Sequence, residues 1–295
     1  MVSVKTAWVK SLFEPIIGGQ AEYVAPMYVW KKNEAPLTRL LVYPLMRTLF
    51  GRRVLQPVGI DHAVSNRLIE IYKNENWETD DLGYKSDLKM LYLAIINQAH
   101  ICQSLMRYPR IFGQGDKWGD DLPRALACVV NAIFDLMTTT DNFWKKIIRS
   151  RPTALFGMGQ PLLTQSSQQK VDPTSLTRNF VESGQKYRKL WERYFPPDLA
   201  EGLNSELTAA IHGALPRINV NLWRRSLYEA SATYRFADAT TKSALVKALT
   251  PIFSAKYFST IENSRNFDER QLNALVESEA LNFEKNKKEL LDLWA

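Results

Sequence analysis

Hydrophobic and polar positions along this chain change period near its middle. Residues 22–29 are rich in β-branched and aromatic side chains (Tyr23, Val24, Tyr28, Val29) and predict a strand, as does the short run 53–56 around Val54 and Leu55. Between them Leu37, Leu40, Leu41, Leu45 and Leu49 recur at helical spacing and Gly51 closes the run, so residues 37–50 predict a helix. Further helices are predicted over 61–72 and 86–99, and a short strand over 101–106. A long helix is predicted over 122–148, with Pro123 near its start, where a missing N–H costs little.

From residue 157 the composition turns polar, rich in Gly, Ser, Thr and Gln, and loses all period. Residues 157–175 are therefore expected to link a first unit, 1–156, to a helical second unit, 176–295. Asp172 and Pro173 cap and start a helix reaching Tyr194, which Pro196 and Pro197 break. Helices over 221–235 and 241–249 follow, and Thr250-Pro251 has the form of an N-cap with proline at the first helical position. The last helix opens at Asp268 with Gln271 three residues on, a capping-box start. Its stripe runs through Leu272, Leu275, Val276, Phe283, Leu290 and Trp294. The expected class is mixed α/β, mostly helical.

At 295 residues and 45% apolar content the chain can bury substantial cores. Cys102 and Cys128 are too few for a disulfide framework and read as buried thiols of a reducing compartment. The first residues lack a secretory pattern. The most apolar stretch, 126–137, is interrupted by Asn131 and Asp135 and is shorter than the roughly 20 residues of a membrane span. A cytoplasmic placement without a membrane span is the expectation. The net charge of +7 gathers locally at Arg47, Arg52 and Arg53, at Lys145, Lys146, Arg149 and Arg151, and at Arg217, Arg224 and Arg225. With acids interspersed and no nucleic-acid-binding motif, these clusters read as solvated faces and speak against a nucleic-acid partner.

Candidate chemistry is sparse. His62, His100 and His212 do not stand at metal-ligand spacing. His100 reads as a core residue and His212 as a helix-end residue. Glu78, Asp80 and Asp81 could hold Mg²⁺ beside a phosphate, but acids just before a helix also serve as caps. Gly113-Gln-Gly115 and Gly157-Met-Gly159 read as turns, and no phosphate loop or nucleophile elbow occurs. The eight tryptophans follow no spacing and read as core anchors.

One stretch is more specific. Thr38, Tyr43-Pro-Leu45, Arg47 and Leu49-Phe-Gly51, followed by Gln56-Pro57, Gly59, Asp61 and Ser65, resembles retaining GT-A glycosyltransferases of the glucosyl-3-phosphoglycerate synthase and mannosylglycerate synthase type. The resemblance continues at Trp77-Glu78-Thr79-Asp80, at Gly83-Tyr-Lys-Ser-Asp87, at Leu249-Thr-Pro-Ile-Phe253, and at Phe283, Lys287, Leu290 and Trp294. It implies a partial GT-A-like α/β unit followed by an all-α domain. It also implies sugar transfer from a nucleotide diphosphate donor with Mg²⁺ or Mn²⁺ on the leaving group. Carried over by position, it makes Asp87 the candidate catalytic residue and Gln56, Pro57, Gly59, Asp61, His62 and Ser65 candidate substrate-binding residues.

The chain departs from the family at the metal. The family's D-x-D stands just before a segment like residues 7–15, so the nucleoside-binding strands are expected to be missing, and Phe112 takes the place of the metal histidine. Gly59-Ile60-Asp61-His62 replaces a more flexible glycine pair. No metal is expected to be held by this chain alone. The expectation is thus a glycosyltransferase-like protein lacking its nucleotide-binding half, a fragment or a degenerate paralogue. The alternatives are an active subunit completed by a partner and a noncatalytic scaffold. A sugar or phosphorylated acceptor, and self-association or a partner protein at an exposed sheet edge, are the expected contacts.

Overall fold

The computed structural model describes residues 6–28, 33–59, 61–78, 80–106, 122–157 and 172–295. The chain divides into two compact units, Met1–Leu136 with Thr140–Gln169, and Met137–Thr139 with Lys170–Ala295. The first is α/β and the described residues of the second are helical, so the protein is mixed α/β and mostly helical, as the change of period predicts.

The first unit is built on a sheet of order β2-β1-β3-β4, with β1 at Tyr23–Tyr28, β2 at Ala63–Val64, β3 at Ile101–Met106 and β4 at Ala154–Phe156. Strand β1 runs parallel to β3 from Tyr23↔Ile101 to Tyr28↔Met106, β4 runs parallel to β3, and the two residues of β2 pair antiparallel at Tyr23 and Val24. Helix α1, Thr6–Ile17, lays Trp8 and Leu12 on Val24, Tyr28, Cys102 and Met106, an apolar layer that excludes water from one side of the parallel pair. Cys102 is buried and Cys128 half-buried, and burial pushes the Cys102 thiol up to about 11. The sheet ends in strands of two and three residues, and Leu155 on β4 is exposed.

Several elements differ from the sequence expectation. Residues 53–56 form no strand: Arg52 makes a single bridge to Arg151, and beyond it Leu55 N donates to the Gln103 side chain rather than to a ladder partner. The helix expected over 37–50 opens as a π-helical turn, Thr38–Val42, before α2, Tyr43–Phe50, closed by Gly51 in the left-handed region. The helix expected from 61 starts later, as α3, Asn66–Lys73, because residues 63 and 64 pair with β1 and Ser65 then caps it, accepting from the Leu68 N–H. Helix α4 spans Tyr84–Ile96.

The helix expected over 122–148 ends early, as α5, Leu122–Thr139, followed by the short α6, Asp141–Trp144. Thr138, Thr139 and Thr140 form a run whose last member leaves helical geometry and turns its hydroxyl back to Leu136 O. Helix α5 is the one described helix long and apolar enough by composition to cross a membrane. Half of it is buried in the protein and Asp135 pairs with Lys85, so it has the character of a core helix.

The second unit comprises α7, Pro173–Tyr194; α8, Pro197–Ile211; α9, Val220–Tyr234; α10, Ala239–Asn263; α11, Glu269–Lys285; and α12, Lys287–Leu293. Asp172 caps α7 through the Thr174 N–H, and Asp268 with Gln271 forms the expected capping box of α11. The expected break at Thr250-Pro251 is absent: α10 runs straight through Pro251. Residues 245–260 of α10 are almost wholly buried, and that tertiary burial outweighs the single hydrogen bond a proline removes. Trp191, Trp223 and Trp294 are buried anchors, and Trp191 Nε1 donates to Ala248 O at 2.9 Å.

Lys287, only 5% exposed, sits at the start of α12, where burial depresses its ammonium from an ordinary 10.5 to about 8. Below pH 8 folded and unfolded chains both carry the charge, and the folded state bears its desolvation. Between about 8 and 10.5 the unfolded state holds more protons, so stability rises with pH across that window, by on the order of 2 kcal/mol. Urea unfolding at pH 7.5 and 10 is expected to show this rise in the wild type and not in Lys287→Met.

Candidate functional site

The segment 56–65 leaves the carboxyl end of β1 and runs back along that strand to its start. Gln56, 4% exposed, imitates a strand residue: its Oε1 accepts from Tyr28 N at 3.0 Å and its Nε2 donates to Tyr28 O at 3.1 Å. Leu55 N donates to Gln103 Oε1 at 2.7 Å, anchoring the approach to β3. Pro57 and Val58 are buried. The Gly59 N–H then donates to Asp87 Oδ2 at 3.0 Å, joining the segment to the first turn of α4, while the Tyr28 hydroxyl donates to Asp61. Two carboxylates from distant parts of the chain are thus tied to one turn. Carboxyl ends of parallel strands are where open α/β sheets bind their ligands.

Farther along, His62 stacks on Tyr23 with ring centroids 5.7 Å apart, its Nδ1 3.3 Å from Gly59 O. Burial, opposed by that carbonyl and by Asp61, lowers its pKa, so the imidazole is neutral at pH 7. Ser65 N donates to Glu22 O at 2.8 Å and its side chain caps α3. Burial raises the Tyr23 phenol well above its ordinary range, with the Asp87 charge adding to it, and burial with Cys128, Asp80 and Asp87 does the same for Tyr84. Asp87 therefore lies among phenols that stay protonated and polarisable.

All seven residues expected at the site lie on or beside this segment, but in different states. Gln56 and Pro57 are buried and Gln56 is committed to Tyr28, whereas Gly59, Asp61, His62, Ser65 and Asp87 are half-buried. Tyr28, which clamps both Gln56 and Asp61, carried no functional signal in the sequence beyond being an aromatic in a strand. The acidic cluster at 78–81 acts as a cap and in ion pairs: Asp80 accepts from Leu82 N and Lys85 N, Glu78 pairs with Lys85 at 2.9 Å and Asp81 with Arg124 at 2.8 Å. His100 is exposed rather than in the core, because the turn into β3 spends its backbone on Glu22 and Tyr23 and leaves the ring outside. His212 ends α8 as expected. Phe112, Gly113 and Gly115 lie outside the described residues.

A divalent cation does not fit this arrangement. Among the described residues no three His, Cys, Asp or Glu side chains converge, and the oxygens of Asp61 and Asp87 nearest the turn are occupied by Tyr28 and Gly59. What the pair can do is accept hydrogen bonds from hydroxyl groups, since each carboxylate has about four lone-pair positions. No protein-family model matches the chain, and no curated protein matches it significantly.

Gly51, which closes α2 five residues before this segment, has φ 68°, and a Cβ there would lie 2.8 Å from Ile147 Cγ2 and 3.2 Å from Arg149 O. Gly51→Ala is expected to cost about 2–4 kcal/mol through left-handed strain and overpacking, read as a lower urea midpoint at unchanged slope.

Proposed function

We propose that the chain is a glycosyltransferase-like protein whose residues form the acceptor side of a sugar-transfer site, with Asp61 and Asp87 orienting a hydroxyl of a sugar, polyol or phosphorylated hydroxy acid. The observation that carries this reading is the joining of Asp87 to Gly59 and of Asp61 to Tyr28 at the carboxyl end of β1. Those are the positions at which the resemblance to retaining GT-A enzymes places the acceptor loop and its acid. Charge-assisted hydrogen bonds from hydroxyls to carboxylates are strong and directional, and such a pair distinguishes one hydroxyl from its neighbours.

The donor side is not supplied by these residues. Among the described residues no cation clamp supplies the charge neutralisation that departure of a nucleotide-sugar pyrophosphate requires. In this reading the chain acts as an acceptor-binding paralogue or as one part of a larger transferase. Titration calorimetry with nucleotide sugars is expected to give no heat that depends on Mn²⁺ or Mg²⁺; cation-dependent micromolar binding would refute this reading.

A further inference from the structure

Two basic clusters that are about a hundred residues apart in sequence meet in the first unit. Arg52 bridges Arg151 in parallel, with Arg53 N donating to Arg151 O at 3.2 Å and Arg151 N to Gly51 O at 2.9 Å. An extended chain sends alternate side chains to opposite faces. On one face the Arg53 guanidinium turns inward, where Ser150 Oγ accepts from Arg53 Nε at 3.0 Å and from buried Arg47 Nε at 3.2 Å. On the other face the bridge sets Arg52 opposite Arg151, and Arg149 lies two residues before Arg151 in the chain.

Arg149 and Arg151 are exposed and Arg52 half-buried, and among the described residues none of the three forms an ion pair, while nearby Lys145 is neutralised by Asp141 at 3.1 Å. Like charges directly opposite one another across a bridge are destabilising. The backbone nevertheless enforces this pairing, through a glycine at 51 that lets the 149–151 segment approach to within contact. An anion beside the bridged pair, with exposed Arg149 two residues away in the chain, would offset the repulsion of these charges. Arginine forks match the oxygens of a phosphate two at a time.

We propose that Arg52, Arg149 and Arg151 form a binding site for a phosphate dianion, presented as inorganic phosphate, as pyrophosphate or as the terminal phosphate of a small molecule. This site is independent of the acceptor reading, and its failure leaves Asp61 and Asp87 untouched. Calorimetric titration of the full chain with phosphate, pyrophosphate and methyl phosphate, beside thermal unfolding in phosphate and in chloride at equal ionic strength, tests it. Saturable binding is expected, stronger at pH 7.5 than at 5.5 because a phosphate monoester takes its second charge near pH 6. Arg52→Gln or Arg151→Gln should each weaken it about tenfold and the double variant should abolish it, while Arg188→Gln on α7 changes nothing. In chloride, Arg151→Gln should unfold no earlier than the wild type, since the substitution relieves repulsion.

Equal stabilisation by chloride and phosphate at matched ionic strength would overturn the proposal, as would a double variant that retains wild-type affinity. So would micromolar binding of a mixed-sequence oligonucleotide by a chain that ignores phosphate and pyrophosphate at millimolar concentration. That last result would assign the patch to nucleic acid instead.

Discussion

Replacing Asp87 by alanine is expected to weaken binding of a hydroxyl-bearing acceptor about 10- to 100-fold, the loss that follows removal of a charge-assisted hydrogen bond. Asp87 reaches the site from the first turn of α4 and holds the Gly59 N–H at 3.0 Å, so its removal takes away both a carboxylate and the tether of the turn that carries Asp61. Asp87→Asn separates the two contributions. Its amide oxygen can still accept from Gly59, which preserves the turn, but the charge is gone, so affinity should fall by an intermediate factor. The unfolding midpoint should change little in either variant, because Asp87 is half-buried and the hydrogen bond it accepts from Gly59 is worth about 1 kcal/mol. Calorimetry on the two variants, with thermal unfolding alongside, checks both statements.

The largest stability effect is expected in the second unit. Lys256 on α10, with its side chain 2% exposed, forms an ion pair with Glu279 on α11, itself 14% exposed. Burial makes such a pair a poor source of net stability, yet breaking it strands a charge in the interior. Glu279→Ala should therefore cost about 3–5 kcal/mol, whereas the double change Lys256→Met with Glu279→Leu should be close to neutral. Urea unfolding of the three chains measures this directly. A Glu279→Ala loss below about 1 kcal/mol would mean that the ammonium reaches water, as in an exposed pair.

Elements whose signals are local were legible in the sequence. The strands β1 and β3, the Asp172 cap and the capping box at Asp268 each rest on a few consecutive residues, and each stands where expected. Elements decided by tertiary partners were not. Thr250-Pro251 has every local mark of a helix start, but α10 passes through it because its neighbours bury both sides of the position. Residues 53–56 have the composition of a strand, but Leu55 N meets the Gln103 side chain, and it is the Gln56 side chain rather than its backbone that pairs with Tyr28.

The candidate site divides in the same way. Gln56 to Ser65 come together because they are contiguous, and Asp87 entered only through the family resemblance, since nothing in its own surroundings predicts a bond to Gly59 28 residues away. Tyr28 and the meeting of Arg52 with Arg151 depend on the register of strands and loops, which no spacing in the sequence encodes.

The Gly59 amide reports the Asp87 carboxylate at first hand. In a ¹⁵N-labelled chain titrated with sugars, polyols and hydroxy acids, at least one compound should shift the Gly59 and His62 resonances saturably, and the shift should vanish in Asp87→Asn. Compounds that bind while leaving both resonances in place, or a panel in which none binds, would contradict a hydroxyl site at this turn.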